Sequence, residues 1–273
     1  MLLTCQQCGT EFYSRRSTAR YCSRQCSNKA TATGREAKKR EGNQVTLWSC
    51  GGGVDSAGIA AMICAGEWPK PDLAVMVDSG WDRPSTWQCI REVFMPRLEA
   101  AGVRLDIIKT TDYMDNGLFD TAGRLKIPAY RLHADGGISK LHTRCNSWKG
   151  VSVKRWLRAQ GVTACENWVG IAADEGGRAR ESPHKWITYR YPLIEKGYTR
   201  EACFWLCGKH SWPLPHQTSC LMCPQQRNSE WALLRDHYPD EFARACEIDE
   251  AIRERDPGLY LWAKAKPLRE FDC

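Results

Sequence analysis

The chain has 273 residues, 42% of them hydrophobic and 26% charged, with fifteen cysteines and a net charge of +7, which leaves room for one sizeable α/β core and a small module and excludes disordered and fibrous classes. No uncharged apolar stretch reaches the ~18 residues of a membrane span, and Met1-Leu-Leu-Thr runs into Cys5 without a signal-peptide pattern. Cytoplasmic localisation without a membrane partner is therefore the expectation, and in a reducing compartment the cysteines read as metal or cluster ligands sooner than as disulfides.

The first element is a pair of cysteine pairs, Cys5-Gln-Gln-Cys8 and Cys22-Ser-Arg-Gln-Cys26. Two close pairs joined by a short loop are what a tetrahedral Zn²⁺ site needs, and the chain has no histidine before His133, so the site would be all-cysteine, saturated and structural. A reactive dithiol is the other reading. Phe12 and Tyr21 are almost the only large apolar side chains here, so metal binding would supply the folding energy. Residues 1–42 carry nine basic against three acidic residues, nearly all of the chain's excess charge. A compact basic module suggests an acidic partner, most simply nucleic acid, against the plainer reading of a solvated face. Arg15, Arg16, Lys38 and Lys39 are the cations expected to carry that affinity. The expected organisation is a finger over 1–30, a basic linker over 31–43, a nucleotide-binding domain over 44–200 and a cysteine-bearing helical region over 201–273.

Val45-Thr-Leu-Trp-Ser-Cys-Gly-Gly-Gly-Val-Asp-Ser-Ala57 is the stretch around which the large domain is organised. It reads as a strand, a glycine loop and a helix start, with Ala57, Ile59, Ala60, Ala61 and Met62 packed on a sheet. Gly51, Gly52 and Gly53 permit close backbone approach to a ligand, and the helix N-terminus favours an anion. Asp55 and Ser56 suit helix capping, and the Ser49 and Ser56 hydroxyls suit phosphate oxygens. An ordinary glycine-rich turn is the plain alternative.

Leu73-Ala-Val-Met-Val77 reads as a strand buried on both faces, ending in Asp78-Ser-Gly, where open α/β sheets bind ligands. A helix follows from Pro84 with Trp87, Ile90, Phe94 and Leu98 inward, bent or shortened by Pro96. Strands are expected at 104–109 and 167–171, and a helix over 149–160 with Gly161 near its C-cap. Residues 110–148 are less regular and read as a substrate-facing insertion. Helices begin at Ser229 and at Pro239-Asp240. The alternation predicts a doubly wound, mostly parallel α/β sheet with a C-terminal helical cap. Cys50, Cys64, Cys89, Cys165 and Cys246 read as buried small hydrophobes.

The glycine loop has neither the lysine of a Walker loop nor the spacing of the dinucleotide fingerprint. It resembles the PP-loop, Ser-Gly-Gly-x-Asp-Ser, of ATP pyrophosphatases and phosphoadenosine phosphosulfate (PAPS) reductase-like proteins, with Gly51 in place of the first serine. Asp78-Ser-Gly-Trp…Pro84-Ser-Thr86 and Gly170-Ile-Ala-Ala-Asp-Glu175-Gly-Gly-Arg178 resemble two further segments of that family, and the N-terminal module resembles small treble-clef-like fingers. The resemblance implies a PP-loop (HUP-like) fold that binds an adenine nucleotide, ATP, with Mg²⁺. It places Ser49, Gly51, Gly52, Gly53, Asp55, Ser56, Asp78 and Arg178 on the nucleotide, and Asp55, Ser56, Asp174 and Arg178 in catalysis. Arg178 or Arg180 would meet phosphate, and Asp174 or Glu175 would hold Mg²⁺ or a substrate donor. It also implies a second ligand set of Cys145, Cys203, Cys220 and Cys223, serving a [4Fe–4S] cluster or Zn²⁺, with Cys207 able to substitute.

The function implied is an enzyme that adenylates an acceptor, releases pyrophosphate and transfers sulfur to a nucleic acid, with a sulfur-donor protein as a further partner. Sulfonucleotide (APS or PAPS) reduction ranks second, because the Glu-Cys-Gly-x-His nucleophile segment of those reductases is missing. A non-catalytic zinc-containing protein that binds nucleic acid or senses nucleotide is the alternative of another class.

Overall fold

The computed structural model describes residues 1–14, 18–23, 25–27, 43–143, 145, 147–215 and 218–272. Arg15, Arg16, Lys38 and Lys39, and the expected linker apart from Asn43, lie outside the described residues.

The N-terminal module is a two-stranded antiparallel ribbon, β1 (Leu2–Thr4) with β2 (Glu11–Tyr13), joined through the turn that carries Cys5 and Cys8. Gly9 closes that turn at φ +73°, a conformation glycine adopts without strain.

The large domain is built on five parallel strands: β3 (Asn43–Ser49), β4 (Leu73–Asp78), β5 (Leu105–Lys109), and, after the insertion, β8 (Val162–Val169) and β9 (Ile187–Arg190). Their order across the sheet is β5-β4-β3-β8-β9, so the chain reverses direction between β3 and β8. That crevice, at the carboxyl ends of the two strands, is where such sheets take ligands. The two-residue period of a strand sends alternate side chains into different cores. Trp48, Ala74 and Met76 face one layer, with α1 (Val54–Cys64), while Leu47, Val75 and Val77 face the other, with α4 (Ser147–Ala159). α1 has little apolar stripe because it is buried almost all round: α6 (Arg200–Lys209) covers it, and a Cβ on Gly58 would lie 3.3 Å from that of Cys203.

The helix expected from Pro84 forms as α2 (Pro84–Cys89), a π-turn over Ile90–Phe94, and α3 (Met95–Ala100). Pro96 has no N–H to give to the preceding turn, and the wider π-turn accommodates it without ending the helix. Ile90, Phe94 and Leu98 are fully buried as expected; Trp87 is only partly so.

The insertion is more ordered than its composition suggests. β6 (Ala129–Leu132) and β7 (Ile138–Leu141) pair antiparallel, and the short β10 (Leu259–Tyr260) joins β6 from the far end of the chain. After a short α5 (Pro192–Glu195) and α6, the C-terminal region adds α7 (Asn228–His237) and α8 (Pro239–Arg255). Glu241 fastens α8 to the start of α2. Its carboxylate accepts from Arg83 Nε at 2.7 Å and from Ser85 N at 2.8 Å, all three residues being buried. Among the described residues no helix is long and apolar enough to cross a membrane.

Candidate active site

Gly51, Gly52 and Gly53 connect β3 to α1, and each serves the turn differently. Gly52 takes φ +74° and points inward, where a Cβ would meet Ile90, Thr86 and Met76; it lies outside the cavities and shapes the loop. Gly53 is the N-cap of α1, with no side chain capping the helix. Asp55 and Ser56 therefore do not cap, contrary to the sequence expectation: they sit inside the first turn, and Ser56 Oγ accepts from Gly51 N at 2.9 Å. The N–H groups of that first turn, which an α-helix cannot pair internally, face an open cleft.

That cleft holds about 510 Å³ and is lined by Gly51, Gly53, Asp55, Ser56, Gly170, Arg178, Arg200, Phe204 and Thr218 among others. Arg178 faces it while paired to Glu175, whereas Arg180 turns its guanidinium onto the carbonyls of Gly177 and Ala179. Asp174 lies off the lining and accepts the Arg200 N–H at 2.9 Å, at the start of α6. Asp55 is the carboxylate inside the cleft: its buried Oδ1 has no hydrogen-bond partner, and Arg200 Nη1 stands 3.8 Å away. Burial pushes the Asp55 carboxyl above its ordinary range; Arg200 opposes this, while Glu175 and Asp174 add to it. A buried carboxylate oxygen with no hydrogen bond, in a cleft that Arg178 and Arg200 also line, suits a magnesium-bearing polyphosphate.

Gly51 also belongs to a second cavity of about 250 Å³ over the sheet ends, walled by Ser49, Cys50, Val75, Val77, Lys149, Lys154, Asn167, Ile187 and Tyr189 among others. Its strand-end side chains give it a mostly apolar floor with a few polar groups, the character of a nucleoside pocket. Ser49 Oγ donates to Asn167 Oδ1 at 2.9 Å, tying β3 to β8 across the crevice, so its proton is directed at protein. Asp78 is half-buried and accepts from the exposed Gly80 N at 2.7 Å. Cys50, expected to be core, is buried yet lines this pocket, and burial raises its thiol to about 12. Cys64 and Cys89 are only partly buried.

Lys149 is shared with a third cavity, about 180 Å³ and mostly apolar, lined by Cys145, Cys220 and Cys223 together with Ile127, Trp148 and Met222 among others. The Cys220 segment is docked by backbone pairing with Asp82 and by Leu221 N donating to Trp81 O. Asp82, which receives Lys149 Nζ at 2.9 Å and Ser79 Oγ at 2.7 Å, holds the lysine in the wall. Burial works against the Lys149 charge, but Asp82, Cys220 and Asp78 outweigh it and raise its pKa. Burial, with Asp82, lifts the Cys220 thiol to about 12, and burial also raises Cys223.

The structure does not bring Cys203 to this group. It lies fully buried in α6 against Gly58, one turn from the equally buried Cys207, in the core that contains α1. The second thiol set is therefore three residues, with Cys203 and Cys207 as packing.

The four N-terminal thiols do come together: the Sγ atoms of Cys5, Cys8, Cys22 and Cys26 all lie within 4.8 Å of one another, with Cys8 to Cys22 and Cys22 to Cys26 at 3.6 Å. Zn–S bonds of about 2.3 Å place tetrahedral thiolates about 3.8 Å apart, so the spacing fits a closed four-thiolate site. Burial works against the Cys5 thiolate, but the N–H groups of Cys22, Gln7 and Cys8 bring its pKa down to about 6.

Lys149, Lys154, Asn167, Tyr189, Arg200 and Thr218 are site residues to which the sequence reading gave no role. Lys149, Arg200 and Thr218 stand beside Cys145, Cys203 and Cys220 in the segments whose cysteines the family resemblance singled out; Lys154, Asn167 and Tyr189 carry no local signal.

No protein-family model matches the chain, and no curated protein matches it in sequence. Among solved structures it is similar to the U34-tRNA thiolase NcsA from Methanococcus maripaludis, solved with its [4Fe-4S] cluster, at 15% identity and a TM-score of 0.44 over 92% of this chain and 88% of that one. It is also similar to phosphoadenylyl-sulfate (PAPS) reductase from Candida auris, solved as a phosphate complex, at 15% identity and a TM-score of 0.39 over 62% of this chain and 74% of that one.

Proposed function

We propose that this chain is an ATP-dependent enzyme that adenylates a nucleic-acid acceptor, releases pyrophosphate and passes sulfur to the activated position. The observation that supports this is the adjacency of three cavities: Gly51 lines both the phosphate cleft and the nucleoside pocket, and Lys149 lines both the nucleoside pocket and the thiol pocket. A nucleotide seated with its adenosine over Val75, Val77 and Ile187 and its β- and γ-phosphates at the N-terminus of α1 has its α-phosphate near Gly51, on the side that faces Lys149.

In that pose an acceptor oxygen attacks the α-phosphorus and the bond to pyrophosphate breaks. The departing charge is met by the first-turn N–H groups of α1, Arg178 and Arg200. Asp55 would hold Mg²⁺ on the polyphosphate. Lys149, kept charged by Asp82, stabilises the charge that develops on the α-phosphoryl oxygens. A hydrosulfide-level sulfur nucleophile, supplied by a donor, then attacks the activated carbon: the carbon–sulfur bond forms, the carbon–oxygen bond breaks with its electron pair so that AMP leaves with the acceptor oxygen, and the sulfur gives up its proton.

Cys145, Cys220 and Cys223 would hold an iron–sulfur cluster, which supplies sulfur ligation and electron chemistry when bound. What supports this is that the three thiols line one mostly apolar pocket. The N-terminal four would hold Zn²⁺.

The test is pyrophosphate release from ATP by the anaerobically reconstituted protein, with transfer RNA and DNA offered separately. Lys149→Met should cut product formation by about 100-fold or more while leaving nucleotide affinity within a few-fold, since its role is confined to the transition state. Absence of pyrophosphate release with every acceptor sinks the adenylation reading.

A second reading, sulfonucleotide reduction, is favoured by one observation. Lys154, which contacts His184 Nε2 at 2.8 Å, lines the nucleoside pocket with Lys149, and two cations there suit a ribose that carries its own phosphate. Adenosine 3′,5′-bisphosphate binding more tightly than ATP, with loss of that preference in Lys154→Met, would favour it.

A further inference from the structure

The segment from Thr218 to Cys223 belongs to two cavities. Thr218 lines the phosphate cleft, while Cys220, Met222 and Cys223 line the thiol pocket. At the cleft end Thr218 stands over the N-cap of α1, where a Cβ on Gly53 would lie 2.8 Å from Thr218 Oγ1. Gly53 has φ −84° and ψ −177°, extended backbone that any residue adopts, so the missing side chain makes room for Thr218 and is not needed by the turn. The Thr218 side chain is half-buried, and among the described residues its hydroxyl has no hydrogen-bond partner. The thiol end is held firmly. Cys220 bridges to Asp82, Leu221 N donates to Trp81 O at 2.9 Å, and the buried Gln226 donates from Nε2 to the carbonyls of Leu221 and Cys223, each at 3.3 Å. Two residues of chain, at most ~7 Å, separate Thr218 from Cys220, and Ser219 Oγ between them donates to Gln226 Oε1 at 3.3 Å.

We infer that Thr218 donates its hydroxyl to the pyrophosphate portion of the bound nucleotide, and that this contact ties the order of the Cys220–Cys223 segment to whether the phosphate cleft is filled. This rests on the adenylation reading for the identity of the ligand and adds the signal that passes from that site to the thiols. Thr218 and the first turn of α1 border the same cleft, and a hydroxyl given to an anion makes a charge-assisted hydrogen bond. A ligand shifts a segment only by binding one arrangement better than another, and the bond to Thr218 is that difference. With phosphates in place the segment is anchored at both ends; with the cleft empty it keeps only its anchors on Asp82, Trp81 and Gln226. Departure of pyrophosphate therefore loosens the thiol segment after adenylation, the stage at which sulfur is to be delivered.

The experiment uses the full-length protein in Mg²⁺ with inorganic pyrophosphate, ATP or AMP as the probe, and reads binding by calorimetry and backbone order by amide hydrogen exchange. Exchange over residues 219–226 is expected to slow by about 5-fold or more with pyrophosphate and with ATP, and to stay unchanged with AMP. Thr218→Val keeps the shape and removes the donor. It should weaken pyrophosphate binding by about 10-fold or more and abolish the slowing, while AMP affinity stays within a few-fold. Thr218→Ala, which also lacks the donor, should behave alike, and Thr218→Ser should restore both effects. Wild-type protein that binds no pyrophosphate, equal pyrophosphate affinity of the wild type and Thr218→Val, or slowing that survives in Thr218→Val would overturn the proposal. The two readings fail separately. Slowed exchange with pyrophosphate in a protein that releases none from ATP with any acceptor removes adenylation and keeps the Thr218 contact. Pyrophosphate release from ATP, with Thr218→Val binding pyrophosphate as tightly as the wild type, removes the contact alone.

Discussion

Replacing the three loop glycines by alanine one at a time should give three different results, because each added Cβ meets different surroundings. At Gly51 the Cβ has only Ser56 Oγ nearby, at an ordinary 3.6 Å, so Gly51→Ala should be neutral or gain about 0.4–1 kcal/mol from a less flexible unfolded chain. At Gly52 the φ of +74° costs an L-residue about 1–2 kcal/mol, and contacts of 3.3 to 3.5 Å with Ile90, Thr86 and Met76 add roughly 1 more. That total of about 2–3 kcal/mol should lower Tm by roughly 4–12 °C for a domain of this size. At Gly53 the backbone is ordinary, but the Cβ would stand 2.8 Å from Thr218 Oγ1, an overlap worth about 1–3 kcal/mol. The Gly53 clash has one partner, so Gly53→Ala should be largely rescued by Thr218→Ala, and Gly52→Ala should not. Thermal melts and urea titrations of the wild type, the three glycine variants, Thr218→Ala and its combinations with Gly52→Ala and Gly53→Ala read this directly. Equal losses at 51 and 52, or the same Gly53→Ala penalty with and without Thr218, would refute the loop geometry. The same contacts show that position 51, where the PP-loop signature carries serine, has room for that side chain.

The Asp55 carboxyl is held above its ordinary value of 3.8, so its ionisation opposes folding as pH rises through the window from 3.8 to the raised value. Asp55→Asn should match the wild type at pH about 4 or below and be the more stable of the two at pH about 7, while losing nucleotide binding in magnesium; melts at the two pH values check it. Chelation, or Cys5→Ser, should release about one zinc per chain and unfold the N-terminal ribbon without shifting the main melting transition, as followed by a zinc dye and calorimetry. Glu241→Ala should cost about 3–5 kcal/mol in urea titrations, since it strands Arg83 in a buried site, and should expose α8 to limited proteolysis.

The parts of the fold legible in the sequence were those whose residues carry a local reason. Leu73–Val77 is buried on both faces and reads as a continuous apolar run; the glycine loop announces itself by composition; Gly161, at φ +72°, closes α4 near where a C-cap was expected. β8 was placed late, because Val162 to Glu166 mixes polar and apolar residues and becomes a strand by pairing along all of β3. β9 went unread: Ile187-Thr-Tyr-Arg is short, lies at the sheet edge and owes its conformation to β8. β10 was invisible for the same reason, since Leu259 pairs with Arg131 across more than a hundred residues, whereas β6 and β7 form a local hairpin whose Asp135-Gly136-Gly137 turn went unread. Cys203 was legible and misassigned. Cys203, Leu206 and Cys207 fall at helical spacing, the stripe of a buried face, and the family resemblance drew attention to the sulfur instead of the period.

The division of labour in the site follows from these distances along the chain. The phosphate cleft is local in part: Gly51, Gly53, Val54, Asp55 and Ser56 come from one strand–loop–helix unit, and Gly170, Arg178, Arg200, Phe204, Pro215 and Thr218 close it from elsewhere. The thiol pocket is not: Cys145 comes from the end of the insertion and Cys220 and Cys223 from the segment before the cap. Asp82 is where the two meet, because it pairs with Lys149, bridges to the Cys220 backbone and receives the Ser79 hydroxyl on the loop that leaves β4. One residue later Arg83 is locked to Glu241 in α8. The cap is thus fastened to the loop that positions Lys149, so a change that loosens α8 should reach the thiol pocket before it reaches the glycine loop. Glu241→Gln, which keeps the shape and removes the charge, should therefore raise the alkylation rate of Cys220 and Cys223 while leaving nucleotide affinity within a few-fold. Equal loss of both would mean that the two pockets fold and fail as one unit.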